Sequence, residues 1–89
     1  MIDYSILPEH MQEGMKLYIE KGIKPGHFLR AVLENNLVES FARADDINIK
    51  NMFNWADFMY NQCPEEARGS KEKVEQWIQS FERDISDNR

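Results

Sequence analysis

The stretch that decides the fold of this chain is Gly22-Ile23-Lys24-Pro25-Gly26-His27-Phe28-Leu29-Arg30-Ala31-Val32-Leu33-Glu34-Asn35-Asn36, followed shortly by the corner Arg43-Ala44-Asp45-Asp46. Gly22 is suited to end one helix in the left-handed conformation, and Pro25 is suited to begin the next. Asn36 can cap a third helix, and an aspartate of the corner can cap a fourth. Several helix boundaries therefore lie close together, and most of the unusual polar side chains stand at them.

Apolar residues recur at helical spacing on both sides of this stretch as well. The pattern predicts five helices, which begin near Pro8, Pro25, Asn36, Asp45 or Asp46, and Ser70. The third has an apolar face of Leu37, Val38, Phe41 and Ala42, and Glu39 is placed to complete a capping box with Asn36. We therefore expect an all-α fold, a compact single-domain bundle of about five short helices over residues 1–89. Residues 1–7 form an N-terminal extension and residues 86–89 a frayed tail.

Charge and cysteine content narrow the classes of function. Sixteen acidic against eleven basic side chains give a formal net charge of −5. Nucleic-acid binding is not expected, because it depends on lysines and arginines that neutralise phosphates. Cys63 is the only cysteine, which fits a reducing cytoplasm. Neither a signal peptide nor an apolar run of transmembrane length is recognisable, so we expect an intracellular, soluble protein with no membrane association.

The fourth predicted helix, which runs from Asp45 or Asp46 to about Gln62, is unusually apolar. Its large side chains cover an arc of roughly 220° at 100° per residue, wider than the apolar stripe of an ordinary surface helix. Three interpretations stay open: core, oligomer interface, or a pocket that stacks a planar ligand. Aromatic residues and methionine are enriched at interfaces. We therefore predict a homo-oligomer whose interface includes Met52, Trp55, Met59 and Tyr60.

The chain carries no recognisable catalytic or metal-binding motif. It has no glycine-rich phosphate loop, no His-Glu-x-x-His and no nucleophile elbow. The residues best suited to bind a transition metal are His10, His27 and Cys63, and no short spacing relates them. We expect neither enzymatic activity nor a cofactor nor a metal site.

The turn before the second helix is the best candidate for ligand binding. Gly26 lets a ligand approach the backbone N–H groups of a helix start, where the dipole favours anions. His27 could donate to an oxygen or stack on a base, and Arg30 and Arg43 could pair with phosphates. The alternative is purely structural: a Pro-Gly helix start with a surface histidine, and an Arg43 that pairs with Asp45 across the corner.

The order of these motifs along the chain resembles that of small helical proteins of bacteriophages and prophages. The resemblance covers about four fifths of the chain and is carried by Leu7-Pro8-Glu9-His10, Tyr18-Ile19, Gly22-Ile23-x-Pro25-Gly26-x-Phe28-Leu29-x-Ala31-Val32-Leu33, Asn35-Asn36-Leu37, Arg43-Ala44-Asp45-Asp46, Tyr60-Asn61-x-x-Pro64, Gly69-Ser70 and Trp77-Ile78. Two departures concern a helix cap and a loop: this chain has Asn35-Asn36 where an Asn-Asp pair is expected, and it lacks an aromatic residue just before Gly69.

The resemblance implies a biological context rather than an activity. A short phage protein without catalytic residues usually acts by binding. We expect an accessory protein that sequesters an anionic, nucleotide-like signalling molecule used in host defence. The alternative is an inhibitor or regulator that binds a host protein.

Overall fold

The computed structural model describes residues 1–87 and the side chains of residues 1–82. It contains six α-helices: α1 (Glu9–Lys21), α2 (His27–Leu33), α3 (Leu37–Arg43), α4 (Asp46–Lys50), α5 (Met52–Asn61) and α6 (Lys71–Asp87). A 3-10 turn, Glu65–Ala67, precedes α6, and no strand occurs in residues 1–87. The predicted all-α fold is confirmed, with one helix more than expected. None of the described helices is both long and apolar enough to cross a membrane.

The helix ends around the Gly22–Asp46 stretch lie close to their predicted positions. Gly22 has a φ of 67°, and the chain closes α1 through N–H groups that bond to the carbonyls of Leu17 and Tyr18. Asn36 caps α3, since its side chain accepts from the Glu39 N–H at 3.2 Å. The reciprocal half of a capping box is not formed, because the Glu39 carboxylate accepts from Arg43 instead.

The caps of α4 and α6 also follow their predicted residues. The Asp45 side chain accepts from the Asn48 N–H at 2.7 Å, and Ser70 Oγ accepts from the Lys73 N–H at 3.1 Å. Each bond satisfies a backbone donor that has no partner inside its own helix. These ends are set by local hydrogen bonding.

The prediction of one long helix from Asp45 or Asp46 to about Gln62 is wrong, because the helix breaks at Asn51. The Asn51 N–H bonds to the Asn48 carbonyl, and its side-chain amide donates to the Ile47 carbonyl at 2.8 Å. Its side-chain oxygen accepts from Asn54 Nδ2 at 3.0 Å. An asparagine that satisfies neighbouring backbone groups in this way competes with the helical ladder. The result is two helices, α4 and α5, joined at one residue.

The core lies between α1, α2, α5 and α6. Its largest fully buried side chains are Trp55, Tyr18, Phe58, Met15, Leu33 and Val74. The polar atoms of the buried aromatics are paired: the Tyr18 hydroxyl donates to the Ala67 carbonyl at 2.7 Å, and Trp55 Nε1 donates to Asn48 Oδ1 at 3.2 Å. Since an unpaired buried donor is costly, these bonds fix the orientation of the rings as well as their burial.

The predicted N-terminal extension is part of the packed structure. Leu7 is buried, and the Tyr4 ring lies 5.6 Å from that of Phe58. The Asp3 N–H donates to Gln62 Oε1 at 3.0 Å. The predicted tail, residues 86–89, lies partly within α6, which includes residues 86 and 87; residues 88 and 89 are outside the described residues.

Candidate functional site

The apolar face of α3 is turned to solvent. Leu37 is 67 % exposed and Val38 is 80 % exposed, while Phe41 is also well exposed. The buried member of the helix is the polar Ser40, whose hydroxyl donates to the Leu37 carbonyl at 2.8 Å. Helix α3 therefore carries an amphipathic pattern whose apolar side the chain itself does not cover.

Helix α5 presents large apolar side chains on opposite sides. Trp55 and Met59 are buried in the core, whereas Phe53 and Tyr60 are each 80 % exposed. Met52 is half-buried. The four residues predicted for an oligomer interface therefore differ in solvent exposure. Trp55 and Met59 are buried within the chain, whereas Tyr60 is exposed to solvent.

A groove of about 500 Å³ separates the exposed sides of α3 and α5 and is called here the α3–α5 groove. Its walls are mostly apolar and include Phe41, Phe53 and Tyr60, with the amides of Asn35 and Asn36 at one side. Its volume falls within the range of roughly 300–1,000 Å³ typical of small-molecule sites. Among the described residues that line it, none is Asp or Glu.

Arg68 is the only charged residue among the described residues that line the α3–α5 groove. Its Nε is buried and has no hydrogen-bond partner in the part of the chain that the structure describes. The residue follows the 3-10 turn, and the backbone beside it is anchored by the Gly69 N–H, which donates to the Leu33 carbonyl at 2.8 Å. Sequence reasoning missed Arg68 because the turn has no helical or strand periodicity.

Three of the four predicted ligand-binding residues border a second, smaller groove. This α1–α2 groove, of about 380 Å³, is lined by Gly26, His27 and Arg43 together with other residues that include Lys24 and His10. Arg30 lies outside that lining, since its guanidinium binds Glu34 at 2.6 Å and Glu75 at 3.4 Å. The structure therefore gathers Gly26, His27 and Arg43 and separates Arg30 from them.

Three ionisable side chains of the α1–α2 groove already have partners. Arg43 Nε donates to Glu39 at 2.6 Å, so the predicted pairing of Arg43 with Asp45 is not formed. Asp45 instead lies 2.9 Å from His10 Nε2. The Asn48 N–H and, to a lesser degree, His10 lower the pKa of the Asp45 carboxyl. A ligand anion at this groove would compete with carboxylates that are already in place.

Cys63 is buried in the core, whereas both histidines are exposed. Burial raises the pKa of its thiol to about 12, against the smaller opposing effect of the Arg68 charge. The thiol is therefore protonated and unreactive at neutral pH. Within residues 1–82, no three His, Cys, Asp or Glu side chains come together in a geometry that could hold a metal ion.

Comparison of the chain with protein-family models, with curated proteins and with solved structures found no match.

Proposed function

We propose that this chain is a small binding protein that captures an anionic, ring-containing molecule of nucleotide-like size in the α3–α5 groove. The observation that carries the proposal is an aromatic-walled groove bordered by one arginine whose buried Nε has no partner within the described part of the chain. A buried donor without an acceptor costs roughly 1–3 kcal/mol. Because that Nε is inaccessible to solvent, a ligand anion would pair with the terminal nitrogens of the Arg68 guanidinium, a residue that is only partly buried.

Each part of the groove suits a part of such a ligand. The faces of Phe41, Phe53 and Tyr60 can stack on a planar ring, an interaction worth roughly 1–3 kcal/mol per base in nucleic-acid complexes. A guanidinium binds phosphate or carboxylate oxygens through charge-assisted hydrogen bonds. The amides of Asn35 and Asn36 offer both donors and acceptors. The absence of acidic side chains from the described lining leaves no local carboxylate to repel the anion.

The α1–α2 groove is the weaker location for the same ligand. Arg43 already pairs with Glu39, and α2 has only seven residues, so the dipole at its start is small. Gly26 and His27 remain exposed there. We therefore keep Gly26, His27 and Arg43 as the alternative ligand site and Arg30 as a structural residue.

The family resemblance supplies the biological context of the proposal. A phage or prophage protein of this kind would act in the bacterial cytoplasm by sequestering a signalling molecule used in host defence. Capture of this type needs no catalysis, and one protein molecule removes one or a few ligand molecules. The protein must therefore accumulate to the concentration of the signal.

The test is a binding titration with a panel of cyclic dinucleotides and ADP-ribose-type molecules, followed by calorimetry and thermal shift. Loss of one charge-assisted bond corresponds to roughly 10- to 100-fold in affinity. We expect Arg68→Gln to weaken binding by that amount and the matched control Arg43→Gln to leave it unchanged. Circular dichroism verifies that both variants remain folded.

The outcomes separate the two grooves. If Arg43→Gln and His27→Ala weaken binding while Arg68→Gln does not, the ligand belongs to the α1–α2 groove. Unchanged melting curves across the whole panel would contradict the proposal. Mass spectrometry of small molecules released on denaturing the purified protein gives an independent check.

A second candidate function is the inhibition or regulation of a host protein. The exposed apolar side of α3 favours it, because contiguous apolar surface often marks a protein-binding site. On this hypothesis Val38→Lys abolishes association with a defined host partner, while nucleotide binding to the α3–α5 groove is retained. The reverse pattern would favour ligand capture.

A further inference from the structure

We propose that the exposed apolar surface of α3 and α5 is where a second copy of this chain docks. This outer face is defined by Leu37, Val38, Phe41, Phe53 and Tyr60. The proposed contact is a two-fold dimer, in which the same face of each copy meets its counterpart. The inference goes beyond ligand capture and does not depend on it, since a dimer with an empty groove would satisfy it.

The area of the outer face matches what an interface needs. Phe53 and Tyr60 are each 80 % exposed, and with about 150–250 Å² per buried aromatic side chain they present roughly 300 Å² together. The remaining three side chains raise the apolar total to about 500 Å². A standard interface buries about 800 Å² per partner, of which roughly 60 % is apolar, or about 500 Å². The outer face therefore supplies the apolar share of one complete interface.

The charges near the outer face permit two copies to approach. The chain carries a net charge of −5, yet no Asp or Glu is among the described residues that line the groove between the two helices. The nearest acidic residue on α3, Glu39, is neutralised by Arg43 at 2.6 Å. On α5, Asp57 lies four residues after Phe53 and three before Tyr60 and has no ion pair among the described residues, so a two-fold contact must keep the two Asp57 carboxylates apart.

A small ligand does not account for the whole outer face. Val38 is 80 % exposed and does not line the α3–α5 groove, so a molecule within the groove leaves it in water. A second copy covers Val38, Leu37 and the aromatic rims at once. In an isologous contact each of these residues is buried in both copies. Each residue therefore contributes twice to the apolar area that the dimer removes from water.

The dimer is tested by sedimentation equilibrium of the full chain at concentrations up to about 100 µM. We expect a mass that approaches twice the 10.6 kDa of the chain. Phe53→Lys and Val38→Lys should raise the dissociation constant by about 10-fold or more, as removal of a central apolar contact does. The matched control is Ile23→Lys, which adds the same charge at an exposed apolar residue outside the outer face.

Circular dichroism verifies that the lysine variants keep their helices, which is expected because Phe53 and Val38 are each 80 % exposed. A monomeric wild-type chain at every concentration would overturn the inference and leave the outer face to a different protein. The placement of the dimer contact on α3 and α5 would be overturned by either of two results. The first is a dimer that persists in Phe53→Lys and Val38→Lys, and the second is a dimer that dissociates in Ile23→Lys.

Discussion

The two sides of α5 are both rich in aromatic residues, but one side is buried and the other is exposed to solvent. Trp55 and Phe58 are 1 % and 0 % exposed, while Phe53 and Tyr60, on the same ten-residue helix, are each 80 % exposed. The inner side has its polar atoms paired, as Trp55 Nε1 is by Asn48. The outer side borders a groove with an arginine whose Nε has no partner among the residues that the structure describes. Aromatic content in a helix therefore indicates apolar surface that is favourable to bury. It does not indicate whether the same chain or a partner buries that surface.

The largest expected effect comes from removing matched aromatics from the two sides. Trp55→Ala should lower the free energy of unfolding by about 3–5 kcal/mol, since it leaves a cavity among residues that are nearly inaccessible to water. Phe53→Ala should change it by about 0.5 kcal/mol or less in the monomer. Urea denaturation at low protein concentration measures both. Equal losses from the two variants would show that the outer side is covered within one chain.

A smaller effect should follow from adding a methyl group at Gly22, where the end of α1 meets α6. Gly22 has a φ of 67°, and a Cβ there would lie 2.5 Å from Cδ1 of the Phe81 ring. Gly22→Ala should therefore destabilise by about 2 kcal/mol or more, as the sum of left-handed strain and overpacking.

Gly14→Ala is the matched control for that substitution. Gly14 lies within α1, and a Cβ there would make an ordinary contact of 3.9 Å with Leu29. It should stabilise the protein by about 0.5–1 kcal/mol. Thermal unfolding followed by circular dichroism compares the two, and a Gly22→Ala protein as stable as Gly14→Ala would contradict the structural role of Gly22.

The smallest expected effect is a pH dependence at the corner between α3 and α4. The pKa of Asp45 is lowered from 3.8, first by the Asn48 N–H and then by His10. Because the folded state holds this proton less tightly than the unfolded chain, the contribution to stability is present above about pH 4 and is lost as the pH falls through the folded-state pKa.

Asp45→Asn isolates that charge, since asparagine caps a helix about as well as aspartate. Melting temperatures of the two proteins, measured between about pH 6 and pH 2, should converge as the pH falls. Parallel curves would show that the Asp45 charge contributes nothing to folding, and that the corner is held by the neutral cap alone.

Local chemistry made part of the structure predictable. Gly22, Asn36, Asp45 and Ser70 act at helix ends as expected, because each cap depends on groups within a few residues. The break at Asn51 was missed, although its cause is also local. Asparagine is a modest helix former, and sequence alone did not distinguish an outward amide from one that bonds to Ile47 and Asn54.

The candidate site was predictable only in part. Gly26, His27 and Arg43 do border one groove, and that convergence follows from the short connections between α1, α2 and α3. Arg68 was not found, because its significance lies in a missing hydrogen bond and in the groove it borders. Both are properties of the packed chain, as is the enclosure of Trp55 and Met59.

Local sequence is sufficient to specify that this chain forms helices, where most of them begin and end, and that it has more apolar surface than one small core needs. These properties follow from backbone hydrogen bonding and from apolar spacing within a few residues. Packing of the helices is needed to specify which apolar side of α5 faces inward, that α3 is left uncovered and that Arg68 borders the resulting groove. Those outcomes depend on how α1, α2, α5 and α6 pack, through contacts between residues far apart in the chain.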